Sequence, residues 1–237
     1  MELVARGLVP SREKAKRLIL AGSVRVNGQV ASKPSDLVEE NANLEVAAAE
    51  RFVSRGGHKL EAAVKAFKVN CDGLVCVDIG ASTGGFTDCL LQHGARRVHA
   101  VDVGKGQLDW KLRQDQRIVV HDELNARSMT ADEIGEMVDL VTIDVSFISL
   151  QKILPAAVAL LKSGGTLIGL IKPQFEAGRR FVKKGGVVRD SQVHEQVKAE
   201  IAGFATEALG MRLVGMVLSP LLGPAGNKEF LIGLTKP

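Results

Sequence analysis

The sequence predicts a doubly wound α/β sheet of about seven strands, preceded by a small α+β domain. From residue 74 onward, hydrophobic stretches of strand length alternate with longer amphipathic stretches, which is the pattern of strands connected by helices. Several strand stretches are apolar throughout, as at 166–171, and this is typical of parallel strands covered on both faces. The first 50 residues follow a different pattern and differ in charge.

The small domain is predicted to combine a helix with a β-hairpin. Ser11 is the expected N-cap of a helix over 14–20, because a serine hydroxyl can accept a hydrogen bond from the first turn. Residues 24–30 alternate around an Asn-Gly turn, which is a strong short-range signal for a hairpin. Residues 44–46 are expected to add a third strand.

The larger domain is predicted to begin with a helix over 60–67. Only the loop 221–228 joins its last two strands, so we expect them to form an antiparallel hairpin at the sheet edge. The predicted strands are 74–78, 97–101, 118–120, 139–143, 166–171, 213–218 and 229–235. The predicted helices lie near 86–93, 107–113, 131–136, 151–162 and 191–208. The expected boundaries are 1–48 for the small domain, 49–54 for a linker and 55–237 for the larger domain.

Composition excludes several classes of protein. No apolar run approaches the roughly 20 residues that a membrane-spanning helix needs, and the N-terminus has no signal-peptide core. We therefore expect a cytoplasmic protein without stable membrane insertion. The three cysteines, Cys71, Cys76 and Cys89, form no C-x-x-C pair, so neither a disulfide framework nor a metal site is expected.

Positive charge is concentrated in the small domain. Residues 1–33 hold seven Lys or Arg against two Glu, a net charge of +5, whereas residues 34–50 hold five acids and no cation. A basic face of this kind is typical of a domain that contacts nucleic-acid phosphates. The expected RNA contacts are Arg6, Arg12, Lys14, Lys16, Arg17 and Arg25.

A second basic segment follows the fifth strand of the larger domain. The loop before the helix at 191 combines glycines with cations, which predicts a flexible flap that grips RNA phosphates. A loop that is merely solvated is the alternative. The expected contacts are Arg179, Arg180, Lys183 and Lys184.

Residues 74–93 combine a strand, an acid, a glycine-rich turn and a helix. The turn at 80–85, Gly-Ala-Ser-Thr-Gly-Gly, departs from the G-x-G-x-x-G pattern of dinucleotide enzymes. Asp78 would repel a pyrophosphate, but it suits a cationic ligand end such as the amino group of a methionine moiety. Asp102 ends the next strand, where a carboxylate can accept from ribose hydroxyls. These features predict S-adenosylmethionine as the cofactor, and a generic tight turn is the alternative.

Charged residues also mark the ends of later strands. Asp144 follows the fourth predicted strand and Lys172 the fifth, and ligands of such sheets bind at the carboxyl ends of the strands. Lys59 stands at the start of the larger domain and Glu229 at the start of the final strand. Taken singly, Lys172 could be a solvated strand-end lysine, and Asp144 could cap the next helix.

These residues carry a family resemblance. Lys59, Asp144, Lys172 and Glu229 match the Lys-Asp-Lys-Glu tetrad of the FtsJ-like ribose 2′-O-methyltransferases, which the larger domain resembles. The whole chain resembles the TlyA group, whose members are labelled haemolysins and are also described as methyltransferases of cytidines in ribosomal RNA. The small domain resembles the RNA-binding fold named after ribosomal protein S4. The matching stretches are 11–16, 26–28, 54–60, 78–88, 144–149 and 172–176.

The resemblance implies a Rossmann-like methyltransferase that acts on ribosomal RNA or ribosomal subunits without a metal. Lys172 would be the general base, with Lys59 favouring its neutral amine, and Asp144 would orient it beside the sulfonium. Glu229 would position the ribose or a lysine. Asp122 stands near the place where the family tends to have a Glu, and it is an expected adenine contact. The implied cofactor residues are Asp78, Gly80, Ser82, Thr83, Gly84, Gly85, Phe86, Asp102, Asp122 and Asp144.

Two other functions stay open from the sequence. A membrane-lytic protein would fit the haemolysin label, but pore formation needs amphipathic segments of membrane-spanning reach, and we find none. A non-catalytic RNA-binding factor for ribosome assembly could retain the tetrad without using it. Methyl transfer to ribosomal subunits distinguishes the enzyme from both.

Overall fold

The computed structural model describes residues 2–20, 22–31, 33–39, 41–46, 51–183 and 185–237. The chain divides into two compact units, residues 1–51 and 52–237. The division falls within the expected linker, because Phe52 is buried in the core of the larger unit. Residues 49 and 50 of that expected linker lie outside the described residues.

The small unit combines short helices with an antiparallel sheet. Its described elements are α1 (Glu2–Ala5), α2 (Arg12–Leu20), β1 (Val24–Val26), β2 (Gln29–Val30) and β3 (Leu44–Val46). The strands pair in the order β2-β1-β3. Ser11 caps α2 as predicted, since its hydroxyl accepts a hydrogen bond of 3.2 Å from Lys14 N. Leu3, Val9 and Val24 form the buried centre of the unit.

Seven strands form one sheet in the described part of the larger unit, as predicted. They are β4 (Val75–Ile79), β5 (Arg97–Val101), β6 (Ile118–His121), β7 (Val138–Ile143), β8 (Leu161–Ile171), β9 (Arg212–Leu218) and β10 (Phe230–Thr235). Their order is β6-β5-β4-β7-β8-β10-β9. The first five in that order are parallel, whereas β10 runs antiparallel to both β8 and β9. This confirms the doubly wound sheet and the hairpin at its edge.

Helices pack against both faces of this sheet. Alternate residues of β4 belong to two hydrophobic clusters, one that includes α3 and α4 and one that includes α7 and α9. A fully apolar strand is the expected consequence of burial on both sides. The described helices of this unit are α3 (Gly56–Phe67), α4 (Gly85–Gln92), α5 (Trp110–Arg113), α6 (Ala131–Ile134), α7 (Leu154–Leu160), α8 (Pro173–Glu176) and α9 (Ser191–Gly203).

Several predicted helix bounds were wrong. α5 begins at Trp110 because the Asp109 carboxylate caps it by accepting from Lys111 N at 2.8 Å. α6 ends at Ile134 because Gly135 takes a left-handed φ of 91°. The stretch 151–162 holds a 3₁₀ turn, α7 and the start of β8, and α9 changes to a π-helical turn after residue 203. α8 was missed, because four residues are too few to show helical periodicity.

The buried Phe52 ring packs against the first turn of α3, the turn that carries Lys59. The Phe52 ring is 1% exposed, and a Cβ on Gly57 would collide with it, so the helix backbone packs directly on the ring. The His58 ring meets the Phe52 ring edge-on at 5.1 Å. Burial of this aromatic side chain therefore sets the position from which Lys59 extends.

We expect Phe52→Ala to lower the free energy of unfolding of the larger unit by about 3–5 kcal/mol, because it removes a buried ring and leaves a cavity. Urea denaturation of the full chain measures this change. Leu218→Ala is the matched control, since Leu218 is an apolar side chain that is 56% exposed. Equal losses for the two variants would contradict a packing role of Phe52.

Candidate active site

The loop between β4 and α4 needs glycine at two positions. Gly80 has a φ of 82°, and a Cβ there would lie 2.6 Å from the carbonyl oxygen of Asp144. Gly84 has a φ of 98° as the N-cap of α4, and a Cβ there would collide with Leu112. The backbone can therefore approach both Asp144 and a ligand closely, in agreement with the sequence pattern.

The Asp78 carboxylate links α4, the helix that follows this loop, to β7. Its carboxylate accepts hydrogen bonds from the Thr87 hydroxyl at 2.7 Å and from the Thr142 hydroxyl at 2.9 Å. Burial raises the pKa of Asp78 to about 6, and the two hydroxyls and Asp144 modify that effect. The side chain is 0% exposed, so the direct contact with a ligand amino group expected from the sequence is not what the structure shows. Asp78 instead ties α4 to β7.

Two cavities adjoin at the carboxyl ends of the parallel strands in the described part of the larger unit. Their volumes are about 350 and 310 Å³, and they share Gly80, Ser82, Asp144 and Ser146 as walls. We call them the first and second cavity. Of the predicted cofactor residues, Asp102 lines the first cavity, and Thr83, Gly85 and Phe86 line the second.

Six further walls of the first cavity were not among the site residues predicted from the sequence. They are mostly apolar, and Phe147 among them is 90% exposed with a left-handed φ of 64°. Three of them follow β6 closely along the chain, so their position just beyond a strand end was the signal available. The residues are Val103, Leu124, Asn125, Ala126, Phe147 and Ile148.

Asp102 and Asp122 occupy different places. Asp102 accepts from Ser82 N at 2.8 Å and Gly104 N at 2.7 Å, so it bridges two loops at the first cavity. Asp122 lies outside the walls of both cavities, and its carboxylate binds the Arg113 guanidinium at 2.8 Å. That guanidinium lowers the pKa of Asp122. Asp122 thus holds α5 through an ion pair, and its expected adenine contact stays a prediction.

The second cavity brings the tetrad together. Lys59 donates to Glu229 Oε2 at 2.6 Å, and both side chains are almost fully buried. Lys172 Nζ lies 2.6 Å from Asp144 Oδ1 and donates to Ser146 Oγ at 3.0 Å. Lys59 therefore pairs with Glu229, which is one of the two roles that the sequence suggested for this acid.

Strand pairing explains this convergence. Phe230, the first residue of β10, pairs with Ile171, the last residue of β8, because the two strands are antiparallel. Glu229 and Lys172 are the adjacent residues and lie at the same edge of the sheet. Asp144 follows β7, which is the parallel neighbour of β8.

Two carboxylate oxygens of the tetrad are buried without a hydrogen-bond partner, namely Asp144 Oδ1 and Glu229 Oε1. A buried acceptor without a donor is unfavourable unless a ligand or another group supplies one. The cavities therefore fit a ligand that brings a hydroxyl donor to Glu229 Oε1, whereas Asp144 Oδ1 already has Lys172 Nζ at 2.6 Å. The space beside Gly80, which a Cβ would fill, completes the fit to a close-lying cofactor.

The expected RNA contacts are exposed on both units. Four of them, Arg12, Lys14, Lys16 and Arg17, project from α2, and Arg25 donates to Gly28 O at 2.9 Å. Arg6 instead donates to Ala42 O at 2.6 Å and pairs with Glu2.

In the larger unit, Arg179 and Arg180 lie on an exposed 3₁₀ turn after α8. Lys183 bridges to Val187, which closes a short hairpin. Lys184 lies outside the described residues.

The described ranges contain neither a metal-binding cluster nor a membrane-spanning helix. No group of three or more His, Cys, Asp or Glu side chains within them is arranged to hold a metal ion. No helix in these ranges is both long and apolar enough to span a membrane.

Residues 52–236 match the FtsJ-like methyltransferase family, and residues 2–44 match the S4 domain. The chain is 48% identical to the 16S/23S rRNA (cytidine-2′-O)-methyltransferase TlyA of Mycobacterium tuberculosis over 235 residues, which cover 98% of this chain and 87% of that protein. The match therefore extends over both units.

Solved structures show the same fold. One from Streptococcus thermophilus, with a provisional hemolysin name, has a TM-score of 0.78 at 44% identity and covers 97% of this chain and 84% of that one. The N-methyltransferase NodS of Bradyrhizobium japonicum, bound to S-adenosyl-L-homocysteine, has a TM-score of 0.55 at 16% identity. That match covers 78% of this chain and 88% of NodS, and it concerns the fold alone.

We expect Asp78→Asn to remove a pH-dependent loss of stability. The pKa of Asp78 rises from an ordinary 3.8 to about 6 on folding, so its contribution to stability is present below pH 4 and is lost as the pH rises through 6. Relative to the Asn variant, the native chain should lose about 2 kcal/mol between pH 4 and pH 7. Urea denaturation at several pH values measures this difference, and exposed Asp132→Asn is the control. A constant difference across that range would contradict the burial effect.

Proposed function

The chain belongs to the FtsJ-like methyltransferase family, and on that premise we propose that it methylates a ribose 2′-hydroxyl of ribosomal RNA with S-adenosylmethionine as donor. One observation carries the proposal: Lys59, Asp144, Lys172 and Glu229, from four separate segments, line one cavity that adjoins the glycine loop. A non-catalytic RNA-binding protein would have no need of two buried lysine–carboxylate pairs.

The first cavity suits the adenosine of the cofactor. Its walls are apolar around the base, and Asp102 offers a carboxylate to ribose hydroxyls. Gly80 and Asp144, which face both cavities, would hold the end that carries the sulfonium. S-adenosylmethionine supplies an electrophilic methyl group, and the C–S electron pair stays with sulfur as the ribose oxygen forms the new C–O bond.

Lys172 is the proposed general base. Its neutral amine would take the proton of the 2′-hydroxyl and become an ammonium, which leaves the oxygen an electron pair for attack. The Asp144 carboxylate, 2.6 Å away, would then stabilise the new ammonium. Confinement in a cavity of about 310 Å³ would orient the hydroxyl toward the methyl group, which is a large part of such catalysis.

Glu229 is proposed to position the acceptor ribose. Its Oε2 is occupied by Lys59, whereas its Oε1 is buried and accepts no hydrogen bond. A second hydroxyl of the acceptor nucleotide could donate to Oε1. Lys59 would hold the Glu229 carboxylate in place through its hydrogen bond to Oε2.

The RNA substrate is supported by the exposed basic residues and by the relative from M. tuberculosis, which is named for cytidines of 16S and 23S rRNA. Arg and Lys contacts to phosphates position an RNA without reading its sequence. We therefore propose RNA binding by residues 1–48, a linker at 49–54, catalysis by 55–237 and cytidine as the acceptor. Because ribosomes occupy the cytoplasm, the proposal includes a cytoplasmic location.

We expect Lys172→Met to reduce the single-turnover rate of methyl transfer at least 100-fold, because it removes the proton acceptor. Transfer of labelled methyl groups to unmodified ribosomal subunits measures the rate, and calorimetry measures S-adenosylmethionine binding, which should change little. Lys172→Arg should fail to restore activity, since a guanidinium does not give up its proton.

Lys162→Met is the control, because Lys162 lies at the opposite end of β8 and pairs with Asp139. Full turnover by Lys172→Met with intact cofactor binding would exclude Lys172 as the base. No transfer by the unaltered chain to either subunit, despite cofactor binding, would favour an assembly factor. Release of vesicle contents by the purified chain would favour a lytic protein.

We expect Arg179→Ala combined with Lys183→Ala to raise KM for ribosomal subunits while leaving kcat and cofactor binding unchanged. Each side chain that no longer binds a phosphate should reduce the dependence of log affinity on log salt by about 0.7–0.9. Binding measured across a salt series checks this slope. Arg117→Ala is the control, because Arg117 pairs with Asp115 near β6. If neither KM nor the salt dependence of binding changes, this loop does not contact RNA.

A further inference from the structure

The two contacts of the Lys172 amine differ in kind. Lys172 Nζ lies 2.6 Å from Asp144 Oδ1, but this oxygen accepts no hydrogen bond, so the contact is an ion pair without alignment. The same Nζ donates a hydrogen bond of 3.0 Å to Ser146 Oγ. An ion pair attracts from any direction, whereas a hydrogen bond weakens steeply when its angle departs from linearity. Asp144 thus attracts the Lys172 amine electrostatically, whereas Ser146 fixes the orientation of that amine.

We propose that Ser146 is a positioning residue that aims the Lys172 amine at the acceptor hydroxyl, an inference that rests on the proposed function. A neutral amine has two N–H bonds and one lone pair, and only the lone pair can take the hydroxyl proton. Ser146 holds one N–H, and the nearby Asp144 carboxylate restricts how the amine can turn about that hydrogen bond. In the proposed arrangement the lone pair is directed into the cavity that Lys172 lines together with Lys59 and Glu229.

The loop that carries Ser146 is tied to the segment that carries Lys172 at a second point. The Glu176 carboxylate at the end of α8 accepts from the Ser149 hydroxyl at 2.6 Å and from Leu150 N at 2.7 Å. Burial raises the pKa of Glu176. The loop after β7 and the segment after β8 are therefore joined at Ser146–Lys172 and again at Ser149–Glu176.

The position of Ser146 depends on the contacts that hold its turn, because the next residue has a left-handed backbone conformation. Phe147, directly after Ser146, has a φ of 64°, a conformation that costs energy for a bulky side chain. The ring of Phe147 is 90% exposed, although it meets the Phe175 ring at 5.2 Å. The contacts of Glu176 with Ser149 and Leu150 therefore contribute to holding the turn, and with it the hydroxyl of Ser146.

Ser146 lines both cavities, so a cofactor contact is the competing role. The two roles predict different kinetics. Removal of a cofactor contact would weaken S-adenosylmethionine binding and raise its KM. Loss of the hydrogen bond that orients the Lys172 lone pair would lower the rate of the chemical step and leave the cofactor affinity unchanged.

The test compares Ser146→Ala, Ser146→Thr and the unaltered full chain in single turnover with unmodified ribosomal subunits and labelled S-adenosylmethionine. We expect Ser146→Ala to lower the rate about 2- to 10-fold, the range for one hydrogen bond between neutral groups. Its cofactor affinity, measured by calorimetry, should stay within about threefold of the unaltered chain. Ser146→Thr, which keeps the hydroxyl, should recover most of the rate.

Ser163→Ala is the matched control, since Ser163 is exposed at the opposite end of β8. A normal rate for Ser146→Ala, alongside an inactive Lys172→Met, would overturn this inference and leave the proposed function standing. A weakened cofactor affinity without a fall in rate at saturation would also overturn it. No methyl transfer by the unaltered chain would overturn the proposed function, and this inference with it.

A double substitution tests the role of Glu176. If Glu176 acts through Ser146, then Glu176→Ala should lower the rate on its own but add little to Ser146→Ala. Glu176→Gln, which can still accept from Leu150 N, should lose less than Glu176→Ala. Additive losses would show that Glu176 does not act through Ser146.

Discussion

The ends of β4 and β7 are held in contact, and the rest of the site depends on this approach. Asp144 N donates to Ile79 O at 2.9 Å, and the carbonyl of Asp144 faces Gly80 so closely that no side chain fits between them. Beneath this contact, Asp78 bonds to Thr142 of β7. One strand end thus carries the glycine loop and its neighbour carries Asp144, so a single packed junction positions the proposed cofactor and the carboxylate that pairs with the proposed base.

The second constraint is electrostatic. Burying a lone charge is very unfavourable, and a buried pair is tolerated only when its members satisfy one another. The tetrad contains two lysines and two carboxylates, which pair as Lys59–Glu229 and Lys172–Asp144 at 2.6 Å each. Each lysine thus has a carboxylate partner, which permits four ionisable groups to share a cavity of about 310 Å³. Such pairs are weak contributors to stability, so we attribute their presence to function.

Long, regular elements were predictable, whereas short ones and loops were not. Each central strand is an apolar run that must be covered on both faces, so β4, β7 and β8 could be located within a few residues. α8 has only four residues and no periodicity, yet it begins at Pro173, directly after Lys172. Phe147 and the residues after β6 line the first cavity, but their residue types carry no sign of this, and only their position just beyond a strand end indicated it.

By itself the sequence determined the order of the strands, the longer helices and the glycine loop, because hydrophobic periodicity and residue type are local properties. The four tetrad residues were identified by their resemblance to a family signature. Only the tertiary structure determined which side chains pair with one another. It turned Asp78 into a buried support for the loop and Asp122 into the partner of Arg113, and it paired Lys59 with Glu229. It also brought Ser146 to Lys172, since antiparallel and parallel pairing join residues that lie far apart along the chain.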